Sequence, residues 1–327
     1  MDPALSGTLR EQLVDRRQRL ATAVSEVAGA SDLVRLLQEV DAALERMDSR
    51  SYGTCEVCRE EVGDDVLLQN PLVQYCLCQL NEQQLQALQD DLEMAARLQW
   101  ALLPRQDERF AGWRAHFRYL PFGPVSGDYC DLIRDEAEGT LHFLVGDVSG
   151  KGVAAAFLMA RLNAQVRSLI ELRLPTEGVV ARTNELFHAG VVPSHYATLV
   201  YGRAYANGEV EICNAGHCPP LVVRHRKIEP VAATGLPVGV LVDRAFETFR
   251  TRLSPGETLF LYTDGVTESQ NPRGEMYGQE ALAAWLAANG AAAPAALAAG
   301  CLGALTSFRA GAPQSDDLTL MAIGRTG

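Results

Sequence analysis

Aspartates gather in four short motifs, each beside glycine or another small residue. They are Ser126-Gly127-Asp128-Tyr129-Cys130-Asp131, Gly146-Asp147-Val148-Ser149-Gly150-Lys151-Gly152, Tyr262-Thr263-Asp264-Gly265-Val266-Thr267-Glu268 and Ser315-Asp316-Asp317-Leu318-Thr319. Each lies at or near the end of an apolar run that reads as a strand. The small residues let the backbone turn sharply there and carry a carboxylate, or a bare carbonyl, toward a shared point. One Asp-Gly pair is an ordinary turn; four such motifs, all at strand ends, point beyond turns. Carboxylates that converge without Lys or Arg repel one another, and a hard divalent cation relieves that repulsion. Mg²⁺ and Mn²⁺ favour such oxygen ligands, and Mg²⁺ keeps several waters.

Thiols form a second cluster. Of eight cysteines, Cys55, Cys58, Cys76 and Cys78 fall within one short window, whereas Cys130, Cys213, Cys218 and Cys301 are scattered. In a reducing compartment a dense cysteine cluster reads as a metal site rather than as disulfides. The scattered four read as small buried hydrophobes, and none has a histidine spaced to make it a nucleophile.

The elements that must position these groups divide into three sections. Leucines and valines from Leu9 to Val24 and from Leu33 to Met47 recur mostly at spacings of three and four, which gives two helices with one apolar stripe each. The break at Gly29-Ala30-Ser31-Asp32 supplies a turn and a capping residue, so the pair is expected as an antiparallel hairpin. A third helix is expected from about Asn81 to Leu103, stopped by Pro104; its Leu85, Leu88, Leu92, Ala95 and Leu102 run near heptad spacing, the pattern of a dimerising linker. Beyond about Phe110 the texture changes to short apolar strands, among them 142–146, 197–205, 210–214, 220–224, 258–262 and 318–323. Helices are expected over 153–172, 177–189 and 279–288. Hairpin-paired strands with helices gathered between them make an α+β layered domain.

Composition narrows the function. The 327 residues carry 29 basic and 41 acidic side chains, a net charge of −12, with 47% hydrophobic and 21% charged residues. That is an ordinary globular composition. The acidic balance argues against a broad nucleic-acid surface. No secretory signal is evident at the start, and the alanine-rich run Ala281–Leu305, interrupted by Asn289 and Pro294, reads as a packed helix pair rather than a membrane span. A cytoplasmic protein with no membrane or nucleic-acid partner is expected.

In order and content the four acidic motifs resemble those of the type 2C metal-dependent protein phosphatases, in the SpoIIE/RsbU branch. The stretches Arg97–Pro104, Asn214-Ala215-Gly216-His217-Cys218-Pro219-Pro220 and Gly235–Gly239 extend the likeness over roughly Leu98–Arg325. The resemblance implies an α-β-β-α sandwich with two Mg²⁺ or Mn²⁺ ions at one end. It also implies Asp147 bridging the ions, the Val148 carbonyl completing one shell, and Asp128, Asp264 and Asp316 as further catalytic ligands. Asp317 can exchange roles with Asp316, and Asp131 and Glu268 are expected to orient waters around the ions. His217 is expected as a structural turn residue and Lys151 as a solvated loop lysine. Ser126 stands where the branch usually has glycine; serine is small enough for the turn to survive. Two ions of this kind lower the pKa of a shared water and clamp phosphoryl oxygens for in-line attack, without a phospho-enzyme. The implied substrate is phosphoserine or phosphothreonine on a protein, in this branch often an anti-sigma-factor antagonist.

The N-terminal section resembles the DksA/TraR-type zinc finger through Leu37–Met47, Ser51–Cys58, Pro71 and Tyr75–Cys78. That likeness implies one structural Zn²⁺ on Cys55, Cys58, Cys76 and Cys78, since four thiolates suit tetrahedral zinc. The second pair is CxC where the family pattern has CxxC, and the hairpin tip lacks the paired aspartates of polymerase regulators. The expected organisation is therefore a hairpin-and-finger module over 1–80 acting as sensor or docking element, a helical linker over 81–104, and a phosphatase domain over 105–327. A zinc-finger transcription regulator and a non-catalytic scaffold built on a phosphatase-like domain are the competing readings.

Overall fold

The apolar stripes of the N-terminal section pair as expected. The structure, a computed structural model, describes residues 3–26, 31–49, 51–56, 59–74, 82–189, 195–241 and 245–326. Helix α1 (Pro3–Glu26) and helix α2 (Ser31–Asp48) bury Leu9, Leu13 and Leu20 against Val40, Ala43 and Leu44. Ion pairs Arg10–Asp48 at 2.8 Å and Arg17–Asp41 at 2.6 Å fix the two as antiparallel. The same core continues through Tyr52, Cys55, Val62 and Leu67, the last on the short helix α3 (Asp64–Gln69). Of the four expected zinc ligands only Cys55 falls within the described residues, where it is buried; Cys58, Cys76 and Cys78 lie outside them, as does part of the hairpin tip.

Helix α4 (Glu82–Leu102) follows. The chain forms two compact units, Met1–Asp90 and Asp91–Gly327, and the division falls within this helix.

The second unit is a sandwich of two antiparallel sheets. Six strands lie in the order β1 (Asp107–Phe110), β2 (Trp113–Leu120), β11 (Leu318–Arg325), β10 (Thr258–Tyr262), β7 (Leu221–Arg224), β8 (Lys227–Pro230). Five lie in the order β3 (Asp128–Asp135), β4 (Thr140–Val148), β5 (Ala197–Tyr205), β6 (Glu209–Ala215), β9 (Phe249–Arg252). Side chains alternate across a strand. On β4, Leu141, Phe143 and Val145 therefore enter the core between the sheets, with Phe117, Leu261 and Ile323 from the other sheet. Leu144 and Val148 face the opposite way, onto helices α5 (Gly152–Ile170) and α6 (Thr176–His188).

Helices α8 (Gly278–Asn289) and α9 (Pro294–Arg309) cover the other sheet, with Leu282, Leu286, Leu297, Cys301 and Leu305 against Val223, Phe260 and Leu320. The alanine-rich run is thus the expected helix pair: small side chains let the helices lie close to the sheet while a few leucines fill the gap. No helix among the described residues is long and apolar enough to cross a membrane. The layers run helix, sheet, sheet, helix, and the four acidic motifs sit where strands of both sheets end.

Candidate metal centre

The pairing of β3 with β4 sets Asp128 directly opposite Asp147, so both side chains fall on the face between the sheets, at its edge. They do different work there. Asp128 is buried, and its Oδ2 accepts hydrogen bonds from Thr263 Oγ1 at 2.9 Å and Thr319 Oγ1 at 2.6 Å. It ties β3 to the ends of β10 and β11. Asp147 is partly open, in line with a carboxylate presented at the mouth.

Asp264 opens the one-turn helix α7 (Asp264–Thr267) as the chain leaves β10, and Asp316 and Asp317 immediately precede β11. β10 and β11 are neighbours, which brings the two motifs together across the sheet end. The adjacent aspartates point to different partners. Asp317 accepts from the backbone N–H of Phe122 at 2.7 Å and of Gly127 at 3.0 Å, and so organises the loop that leads into Asp128. Asp316 instead meets Lys151 Nζ at 3.1 Å.

Two glycines make the assembly possible by having no side chain. A Cβ on Gly127 would stand 2.9 Å from the Val148 carbonyl oxygen, and one on Gly265 would stand 2.0 Å from the Asp317 carbonyl oxygen. Ser126 fills the place of the expected glycine. Its Oγ accepts from the Asp128 N–H at 3.0 Å, so the serine supports the turn it was expected to survive.

The electrostatics are those of carboxylates held too close together. Burial first, then Asp264, Asp316 and Asp317, push the Asp147 carboxyl up to about 7, and Lys151 offsets part of this. Asp264 is raised for the same reasons, burial and then Glu268 and Asp316. Asp128 is raised well above the usual range by burial and by Asp147. Such a set gains from positive charge. Among the described residues no three His, Cys, Asp or Glu side chains already stand close enough together to hold a metal ion. The donors are nonetheless all oxygen, from separate segments around one open mouth, and that suits a cation that keeps several waters. The residues fit Mg²⁺ or Mn²⁺.

The structure redistributes some of the expected site. Asp131 does not reach the cluster: it is three residues from Asp128, an odd number, and therefore on the opposite face of β3. There it accepts a two-pronged ion pair from Arg167 of α5, at 2.7 and 2.8 Å, and a hydrogen bond from Tyr129 OH at 2.6 Å. Its role is to clamp α5 to the sheet, not to orient waters. Asp128 stays with the cluster, buried opposite Asp147, with its Oδ2 engaged by the two threonines. Glu268 is exposed at the C-terminal end of α7, near enough to act on Asp264.

His217 is the structural residue expected: buried, with its ring Nδ1 2.8 Å from Thr198 Oγ1 and its pKa lowered to about 4 by burial. Cys130, Cys213 and Cys301 are buried, whereas Cys218 is half-buried, and burial first, then Asp264 and Asp147, hold its thiol up at about 12. Gln99 is the residue that sequence reasoning passed over. From α4 its Nε2 donates to the Ser126 carbonyl at 2.7 Å and its Oε1 accepts from the Ser126 N–H at 2.9 Å, in a buried setting. The only signal was its place in the stretch Arg97–Pro104, quoted above without a role.

Comparison with known proteins agrees with this architecture. The profile of the family described as Stage II sporulation protein E (SpoIIE) matches residues 137–326, more than half of the chain. The chain is 27% identical over 266 residues to Protein IcfG of Synechocystis, covering 72% of this chain and 41% of that protein. It is 26% identical over 192 residues to the phosphoserine phosphatase RsbU of Bacillus subtilis, covering 58% of this chain and 57% of that one. The chain thus spans about half the length of these curated relatives. Among solved structures, the SiaA-PP2C domain of Pseudomonas aeruginosa superposes with a TM-score of 0.65 at 18% identity, over 74% of this chain and 97% of that one. The last likeness shows the fold, two antiparallel sheets between helices.

Proposed function

This chain belongs to the SpoIIE family, and from that premise we propose that it is a metal-dependent phosphoserine or phosphothreonine protein phosphatase. The observation that carries the reading is the convergence of Asp147, Asp264 and Asp316, from three separate segments, on one open edge where burial and like charge lift the Asp147 carboxyl to about 7. Asp147, the Val148 carbonyl, Asp264 and Asp316 would hold two Mg²⁺ or Mn²⁺ ions. Such ions, when bound, lower the pKa of coordinated water and neutralise the phosphoryl oxygens. Asp317 holds the 122–127 loop in place, and Asp128, bonded to Thr263 and Thr319, supports Asp147 from below.

The chain's own nucleophiles favour attack by water. Cys218, with its thiol held up at about 12, stays protonated at neutral pH and is a poor nucleophile. His217, lowered to about 4, is neutral and bonded to Thr198. In the test, purified full-length chain with Mn²⁺ releases inorganic phosphate from a phosphoserine protein, and Asp147→Asn abolishes release; an unaffected variant would sink the assignment.

The substrate we propose is a phosphorylated anti-sigma-factor antagonist, with the N-terminal module as sensor or docking element and α4 as a dimerising helix. A structural Zn²⁺ on Cys55, Cys58, Cys76 and Cys78 belongs to the same reading. Its support is the close spacing of the four cysteines in sequence, with Cys55 buried in the core of the N-terminal module. Metal analysis of the full chain would give one zinc, absent from Cys55→Ser.

A further inference from the structure

Lys151 is the cation placed at the mouth of the acidic cluster. Its side chain is 59% exposed, and a lysine that open ordinarily extends into solvent. Here Nζ stands 3.1 Å from Asp316 Oδ2, donates to the Ser315 carbonyl at 3.2 Å, and lies 5.4 Å from the centre of the Phe122 ring. Two of these three contacts do not involve a carboxylate, so they would keep the ammonium over the mouth whether or not Asp316 is engaged elsewhere. The backbone is shaped to the same end: Gly150 and Gly152 take φ of 98° and 72°, which side-chain-bearing residues rarely adopt, and they turn Lys151 back between the end of β4 and the start of α5.

Charge decides what such a cation is for. A phosphomonoester carries about −1.5 to −2 charges at pH 7, and it must approach Asp147, Asp264 and Asp316. Divalent cations held by those carboxylates would offset their charge and neutralise the phosphoryl oxygens nearest them. An outward oxygen needs a donor of its own, and an ammonium with three N–H groups on a flexible stem suits it.

We propose that Lys151 is the phosphate-binding side chain of this site, exchanging Asp316 for an outer phosphoryl oxygen when metal ions take up the carboxylate. The inference rests on the phosphatase reading and gives that site its substrate contact.

The test uses full-length chain loaded with Mn²⁺, inorganic phosphate as probe, and the variants Lys151→Gln and Lys151→Arg. Losing one charge-assisted hydrogen bond predicts phosphate binding weakened about tenfold in Lys151→Gln by calorimetry. KM for a phosphoserine protein rises in parallel, kcat stays within about threefold, and Lys151→Arg recovers most of the loss. Mn²⁺ affinity, measured by the same titration, does not fall in either variant. Unchanged phosphate affinity in Lys151→Gln would overturn the proposal. So would a loss of Mn²⁺ affinity, which would make Lys151 a brace for Asp316. A wild-type chain that binds phosphate through Lys151 but hydrolyses no phosphoserine would uphold the contact and overturn the phosphatase reading beneath it.

Discussion

Replacing Asp147 by Asn is predicted to stabilise the metal-free protein, and to do so only where the carboxylate would be charged. In the fold Asp147 is raised from an ordinary 3.8 to about 7; unfolded, it returns to the ordinary value. A raised aspartate binds its proton more tightly folded than unfolded, so raising pH costs stability across that window. The cost is absent below about pH 4, grows between pH 4 and 7, and is constant above pH 7. At about 1.36 kcal/mol per pH unit, the full window amounts to about 4 kcal/mol; allowing for the partial exposure of Asp147, about 2 kcal/mol is the expected cost at pH 8. For a unit of this size that is a Tm gain of roughly 4–8 °C for Asp147→Asn, and about a third of it at pH 5. The assay is thermal unfolding of both proteins after chelation, from pH 5 to 8. Adding Mn²⁺ at about 100 times Kd then raises wild-type stability by about 2.7 kcal/mol and leaves the variant unmoved. A variant less stable than wild type at pH 8, or a gain that does not depend on pH, would refute the picture of mutually repelling carboxylates.

Three further outcomes follow from named contacts. Gly265→Ala puts a Cβ 2.0 Å from the Asp317 carbonyl oxygen; we expect a loss of about 1–3 kcal/mol in urea unfolding together with weaker Mn²⁺ binding, because Asp264 and Asp316 are forced apart. Arg167→Ala leaves Asp131 buried without its ion pair and should cost about 2–3 kcal/mol, less than a fully buried pair since Arg167 is half exposed. Its kcat at saturating metal should remain within a few-fold, whereas a role in orienting waters would lower kcat first. Gln99→Ala strands the Ser126 N–H and carbonyl in a buried place and should cost about 2–4 kcal/mol by denaturant unfolding; an unchanged midpoint would show that these bonds contribute nothing net.

Much of the fold was legible because its signals are local. The apolar runs Ala197–Tyr205 and Thr258–Tyr262 marked β5 and β10 at their observed ends, and the three- and four-residue spacings from Leu9 to Met47 gave α1 and α2. Residues that act through distant partners were not legible. Nothing near Asp317 announces that it holds Gly127, 190 positions earlier, and that pairing is what separates it from Asp316. Asp131 was misplaced although the means to place it lay in the motif itself: strand parity puts it opposite to Asp128, on the face where α5 supplies Arg167. Gln99 escaped notice because an amide on a helix looks like a solvated residue until the loop it bonds is folded against it. The short edge strands β8 and β9, of four residues each, carry too little pattern to be seen.

The central claim, hydrolysis by ions held on Asp147, Asp264 and Asp316, is tested most directly by titrating Mn²⁺ into the metal-free full chain while bound ions and phosphate release from a phosphoserine protein are measured together. The account predicts no release without metal, activity that rises with occupancy of two ions, and fewer bound ions with no activity in Asp264→Asn and Asp316→Asn. Phosphate release that persists after chelation, or full activity in either variant, would contradict it.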